Sequence, residues 1–325
     1  MLPTKCKFRT QLRGAPDHTS GYAAAVSRSV LIIGGTRYMG RFLAARLVAR
    51  GDRVTLFNRG TRPDPFGDRV ERLVGDRATD DFERLLGWRT FDAVVDMIGY
   101  VSRDVERAID IFAGRVGHYL FVSTGQVYLV RENPRLPSRE QDYDGPVVPR
   151  PAGDAGPQWD YGAGKRGCED ALVAARDRLP STRLRIPIVN GPGDSQQRIE
   201  RYVRAILAGG PLRAAFLEQR VRHVDALEVA RTIEALLGDG RVHGEALNQC
   251  QDETPTLREL LGMIGDEVGA RPELVEDETV TTESSPFSTP WMSFLDPAKI
   301  RALGIGHAPL ATTLARTVGH VLATL

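Results

Sequence analysis

The chain has 325 residues, 42% of them apolar and 26% charged, which is enough for one large domain or two ordinary ones. A formal net charge of +1 leaves no global electrostatic case for nucleic acid or an anionic membrane surface. No run approaches the roughly 18 uncharged apolar residues of a membrane span. Cys6, Cys168 and Cys250 are widely spaced and form no C-x-x-C pair, which argues against a disulfide framework or zinc site and suits a cytoplasmic protein.

Residues 1–27 carry Lys5, Lys7, Arg9 and Arg13 before the first acid, Asp17, and show no apolar period. They are expected to be a disordered tail or extension, with a transit segment as the other reading. From Val30 the pattern alternates short apolar runs with helical stretches. Strands are expected at Val30–Ile33, Val54–Phe57, Arg72–Val74, Asp92–Ile98, Tyr119–Ser123 and Arg183–Val189. Helices are expected at Arg41–Arg50, Thr79–Leu86, Ser102–Phe112, Tyr161–Arg176 and Leu310–Leu322. Asp225-Ala-Leu-Glu228 and Thr256-Leu-Arg-Glu259 have the form of helix caps with a reaching glutamate. Residues 131–160 are rich in Pro, Asp, Arg and Gly and read as a long surface loop. Apolar strands without alternation are buried on both faces, so the fold class is α/β, a doubly wound parallel sheet of Rossmann type. The expected division is a dinucleotide-binding domain over 28–190 with 218–250, and a substrate-binding region over 191–217 with 251–325.

Gly34-Gly-Thr-Arg-Tyr-Met-Gly40 joins the first strand to the first helix. Such a turn presents backbone N–H groups and a helix dipole to a pyrophosphate. Its middle position holds Arg37 rather than glycine. At the end of the second strand, where an acid commonly takes the ribose 2′-hydroxyl, the sequence is Phe57-Asn58-Arg59-Gly60. A carboxylate would repel a 2′-phosphate, whereas the guanidinium groups of Arg59 and Arg37 pair with one. NADP(H) is therefore the preferred cofactor, with NAD(H) possible.

Only four of the 43 basic residues are lysines: Lys5, Lys7, Lys165 and Lys299. Tyr161-Gly-Ala-Gly-Lys165 puts a phenol and an ammonium on one helix face, about 5–6 Å apart at Cβ. The ammonium is expected to lower the phenol's pKa from about 10 toward working pH and so make a general acid/base. The fifth strand ends in Phe121-Val-Ser-Thr-Gly-Gln-Val-Tyr128, where Ser123 or Thr124 offers a hydroxyl to the reacting oxygen. The six histidines show no metal spacing, so no metal site is expected.

These residues resemble an extended short-chain dehydrogenase/reductase of the NAD(P)-dependent epimerase/dehydratase family, in a branch with GGTRFIG-type loops. The resemblance covers residues 29–250 well and the rest loosely. It implies Thr124, Tyr161 and Lys165 as catalytic, with Lys165 also holding the nicotinamide ribose. It implies cofactor contacts from Gly34, Gly35, Thr36, Arg37, Tyr38, Met39, Gly40, Asn58, Arg59, Asp76, Arg77, Met97, Ile98, Gly99 and Ser123. Arg185-Ile-Pro-Ile-Val-Asn-Gly-Pro-Gly193 is similar to the family's stretch beside the nicotinamide and brings in Pro187, Ile188 and Val189. Ile188 stands where many nucleotide-sugar enzymes carry asparagine, which weakens the case for a UDP-hexose.

The implied activity is hydride transfer at a carbinol or ketone carbon of a sugar-like or other small polar substrate, as a reductase or an epimerase/dehydratase. The competing reading is a non-catalytic cofactor-binding protein acting as an RNA- or protein-interaction module. The resemblance also implies a homodimer through the helices Ser102–Phe112 and Tyr161–Arg176, with Ala108, Ile111, Ala171 and Ala174 in the contact.

Overall fold

The computed structural model describes residues 26–325, so the expected tail lies outside the described residues except for Val26 and Ser27. The first half runs β1 (Ser29–Ile33), α1 (Tyr38–Arg50), β2 (Arg53–Asn58), β3 (Val70–Val74), α2 (Asp81–Leu86), β4 (Phe91–Asp96), α3 (Ser102–Phe112), β5 (Val116–Thr124), α4 (Gln126–Leu129) and α5 (Gly156–Ala174). It continues with β6 (Ser181–Ile186), β7 (Ile188–Asn190), α6 (Arg198–Ala208), β8 (Pro211–Ala214), β9 (His223–Asp225), α7 (Ala226–Leu236) and β10 (Ala246–Asn248). The last elements are α8 (Leu257–Val268), β11 (Glu273–Glu276), α9 (Ala298–Ala302) and α10 (Leu310–Thr324).

Seven strands form one parallel sheet in the order β10-β6-β5-β4-β1-β2-β3. The order reverses between β1 and β4, and the carboxyl ends of these strands open a crevice there. Residues of β5 divide between the two faces. Leu120 and Val122 pack under α1 and α7, and Tyr119 and Phe121 pack under α2, α3 and α5. Both faces are covered, which is why the strands read as unbroken apolar runs. A third core gathers α6, α8 and α10 around Tyr202, Leu260, Phe287 and Leu314.

Several boundaries differ from the sequence reading. The strand expected over Arg183–Val189 is two strands, because Pro187 has no N–H to give the ladder and ends β6. Ile188–Asn190 then leaves the main sheet to pair with β9. Helix α5 begins at Gly156, five residues before Tyr161, with Pro157 in its first turn. The long loop 131–160 carries 3-10 turns at Glu140–Tyr143 and Gly153–Ala155. Thr256 and Glu259 form the reciprocal cap expected of them, at 3.1 and 2.7 Å. Asp225 caps α7 through the N–H groups of Leu227 and Glu228, but Glu228 does not reach back. Its carboxylate instead takes the Ala308 N–H and pairs with Arg231. Among the described residues no helix is long and apolar enough to cross a membrane.

Candidate active site

The loop after β1 is shaped by two close approaches. Gly34 has φ +107°, in the left-handed region, and its N–H donates to the Phe57 carbonyl at 3.0 Å. A Cβ on Gly40 would sit 2.8 Å from the Gly35 Cα and 3.0 Å from Met97 Sδ, so α1 seats directly on the loop. Arg37 is the N-cap of α1 with extended backbone, φ −127° and ψ 144°, which any residue adopts. Its side chain is exposed. The left-handed position falls instead on Tyr38, with φ 48°. No acid stands in the first turn of α1, so nothing opposes an anion at its positive end.

At the end of β2, Asn58 Oδ1 accepts the Gly60 N–H at 2.8 Å and leaves Arg59 exposed at the tip of the turn. Asp76 Oδ1 takes the Ala78 N–H at 2.9 Å. The expectation for the Arg77 side chain needs correction. Its guanidinium is buried, donates to both oxygens of Asp96 at 2.8 and 3.0 Å and to the Asp104 carbonyl at 2.7 Å, and so is turned away from the crevice. Burial alone would raise the Asp96 carboxyl, but Arg77 and the Tyr119 hydroxyl hold it below the usual carboxylate range. The Ile98 N–H also donates to Asp96, at 3.0 Å, which fixes the turn after β4 beside the crevice. Next to it Gly99 is buried against the Phe121 ring.

The catalytic candidates converge on the end of β5. Lys165 Nζ, fully enclosed, donates to the Val122 carbonyl at 2.7 Å and lies 4.3 Å from the centre of the Phe121 ring. Burial pulls its pKa down to about 8, while the charges of Asp96 and Glu169 favour the ammonium. The Thr124 hydroxyl lies beside the Tyr161 phenol and favours its ionisation, and Tyr161, 37% exposed, opens onto the crevice. Ser123 Oγ donates to Glu169 at 2.5 Å, so its proton is committed and Thr124 is the free hydroxyl.

The crevice has a volume of about 680 Å³ and is also lined by Tyr38, Met39, Met97, Pro187, Ile188 and Val189. Sequence reasoning missed its far wall: Gln126, Gln158, Asp194, Arg198, Arg201 and Trp291. Only Gln158, one turn before Tyr161 on α5, was open to discovery by spacing. Asp194 holds Arg198 at 2.9 and 3.0 Å, and Arg198 also donates to the Val189 carbonyl. Arg201 is anchored through the Thr282 and Glu283 carbonyls. A second cavity of about 770 Å³, between the end of α5 and β10, is lined by both charge signs and lies away from Tyr161. Among the described residues no group of His, Cys, Asp or Glu is placed to hold a metal ion.

The dimer contact expected of Ala108 and Ile111 also needs correction. Both are buried by the chain's own α3–sheet packing. The outer face of this layer presents Val101, Val173 and the expected Ala174.

Comparison with known proteins agrees with this architecture. The chain is 33% identical over 134 residues to the chloroplast stem-loop binding protein of 41 kDa b of Arabidopsis thaliana, a match that covers 37% of this chain and 35% of that protein. The chain thus spans about a third of that relative's length. Among solved structures it is similar to the Bordetella bronchiseptica enzyme WbmG in complex with NAD, with TM-score 0.74, 17% identity and coverage of 93% and 96%. It is also similar to the Thermus thermophilus UDP-glucose 4-epimerase in complex with NAD, with TM-score 0.68, 19% identity and coverage of 91% and 100%. The sequence profile of the NAD dependent epimerase/dehydratase family matches residues 30–249, and the chain belongs to that family.

Proposed function

We propose that the chain interconverts a carbinol and a ketone on a sugar-like substrate that carries an anionic group, as an epimerase or reductase. The observation that carries this reading is the convergence of Thr124, Tyr161 and Lys165 at the end of β5 in one crevice. Tyr161 moves the proton of the reacting hydroxyl, and Thr124 hydrogen-bonds the same oxygen. Lys165 places a positive charge one helical turn from the phenol. A bound nicotinamide supplies the hydride chemistry, and the residues fit such a group. The loop Gly34–Gly40 and the acid-free start of α1 would hold the pyrophosphate. Arg37 and Arg59, with no acid at Asn58, favour NADP(H) over NAD(H).

Two features narrow the substrate. Arg201 reaches the crevice from α6 with the Thr282 and Glu283 carbonyls as its partners, so a phosphate or carboxylate is the complementary group there. Among the described residues Asp194 is the one carboxylate lining the crevice, and Arg198 holds it. Loss of water from the substrate calls for an acid at the leaving hydroxyl, so the site favours epimerisation or reduction over dehydration. The same reading assigns the substrate-binding part to residues 191–217 with 251–325. It places a homodimer contact on the outer face of α3 and α5.

The test is incubation of the protein with NADP⁺ or NAD⁺ and a panel that includes UDP-glucose, UDP-glucuronic acid, hexose phosphates and free hexoses. Fluorescence of reduced cofactor and a product that keeps all its oxygen atoms are expected. A product short of one water contradicts the assignment of reaction type. A preference for uncharged sugars contradicts the role of Arg201.

A further inference from the structure

Both glycines of Tyr161-Gly-Ala-Gly-Lys165 are accounted for by close backbone approach. A Cβ on Gly162 would lie 2.8 Å from the Gln126 carbonyl oxygen, and one on Gly164 would lie 2.5 Å from the Tyr100 carbonyl oxygen. The turn of α5 that carries Tyr161 and Lys165 is thus wedged between the residues that follow β5 and those that lead into α3. The second contact fixes the backbone of Tyr100 on one side. On the other, its N–H donates to Asp104 Oδ2 at 2.8 Å, and the Val101 N–H donates to the same oxygen at 3.3 Å. The ring is thereby set beside the catalytic pair. Its centre lies 5.4 Å from Lys165 Nζ and 6.4 Å from the centre of the Tyr161 ring. Yet Tyr100 takes no part in the chemistry above, and it lines the crevice with 52% of its surface exposed.

The exposed part of an aromatic ring gains nothing from packing within the chain, so burial in the fold does not account for it. Its neighbours in the crevice are of another kind: Thr124, Gln126, Gln158, Tyr161 and Ser293 all bring hydrogen-bonding ends to the same wall. The ligand that suits both has hydroxyl groups around its rim and an apolar face. A pyranose has that form, because its ring C–H bonds gather on a face and meet the electron-rich face of an aromatic ring. We propose that Tyr100 is a substrate-contact residue that selects closed-ring sugars: the C–H face of a pyranose packs on its exposed ring while Thr124 and Tyr161 hold the reacting oxygen. This rests on the sugar reading above and narrows it. The contact adds buried area and moves no proton, so it strengthens binding in the ground state and the transition state alike. Its loss therefore falls on KM and leaves kcat to Tyr161.

The experiment takes the panel sugar that wild type turns over fastest and compares wild type, Tyr100→Phe and Tyr100→Ala. Because the ring is half exposed, all three are expected to fold, and melting curves check this. Tyr100→Ala is expected to raise KM by about five- to tenfold with kcat within about threefold of wild type. Tyr100→Phe keeps the ring and is expected to stay within about threefold of wild type in both constants. Cofactor affinity, read by NADPH fluorescence without sugar, is expected to be equal in all three. Weaker NADPH binding by Tyr100→Ala places the ring on the cofactor and overturns the proposal. A fall in kcat and melting temperature at unmoved KM does so too, since it marks a ring that only shields Lys165. A Tyr100→Phe variant as impaired as Tyr100→Ala assigns the contact to the hydroxyl and overturns the role of the ring face. Wild type that turns over no sugar removes the reading above and this one with it; turnover with KM unmoved in Tyr100→Ala overturns this one alone.

Discussion

Arg37 is the residue whose side chain and position carry different information. Its backbone is extended, so glycine was never required there, and the left-handed strain sits on Tyr38. The exposed guanidinium is thus free to act at the adenosine end of the crevice, together with Arg59. A charge-assisted hydrogen bond contributes about 1.5–3 kcal/mol, and each 1.4 kcal/mol is tenfold. Titration with both cofactors is expected to show NADP(H) bound on the order of tenfold to a thousandfold more tightly. Arg59→Ala is expected to weaken NADP(H) and leave NAD(H) nearly unchanged, and so is Arg37→Gly. Equal wild-type affinities remove the role given to both arginines. Lys165 invites a second measurement at this scale. Its fall from 10.5 to about 8 corresponds to about 3 kcal/mol of destabilisation while the ammonium is buried. The unfolded chain binds that proton more tightly, so the cost is fully present below about pH 8 and is relieved as pH rises toward the unfolded value. Lys165→Met is therefore expected to lose activity yet melt at or above the wild-type temperature at pH 7, with the advantage gone near pH 10.5. A variant less stable at pH 7 than at pH 10, relative to wild type, contradicts this.

Among the elements, the turn from β1 into α1 is tightly constrained. A Cβ at Gly40 meets the backbone of Gly35, which cannot move aside without moving the phosphate loop. Gly40→Ala is expected to weaken both cofactors at least tenfold and alike, in contrast to the selective effect of Arg59→Ala; undiminished affinity contradicts the seating of α1. This element was legible in sequence because one chemistry, close backbone approach, dictates residue types at fixed spacing. The same holds for Tyr161 and Lys165, whose separation is the helix repeat. The break at Pro187 was overlooked because an apolar run on either side masks it: Arg183–Val189 reads as one strand, although proline cannot continue the ladder. The far wall of the crevice was illegible for a different reason. Arg201 and Trp291 arrive there by tertiary packing of α6 and the loop after β11, and no spacing relates them to Tyr161. The buried pairing of the Arg77 side chain was not foreseen, and Asp96, an acid closing an apolar strand, was the overlooked sign of a buried partner.

For the whole molecule, the parallel sheet and its switch point were legible, and the assembly was not. Spacing alone put Ala108 and Ile111 on one face of a helix, but it could not say that this face is the one turned to the sheet. The residues left outside, Val101 and Val173, each expose over 40% of their surface. A homodimer through them is expected, and light scattering at micromolar concentration checks it; a monomer mass with unchanged activity contradicts that contact. The central claim is that Tyr161, set against Thr124 and Lys165, moves the proton in a nicotinamide-dependent reaction. The direct measurement is the rate of cofactor reduction by wild type and by Tyr161→Phe on one substrate, with cofactor affinity measured for both. The account predicts a loss of roughly two to four orders of magnitude in rate at nearly equal affinity. A Tyr161→Phe variant that keeps more than half the wild-type rate contradicts it.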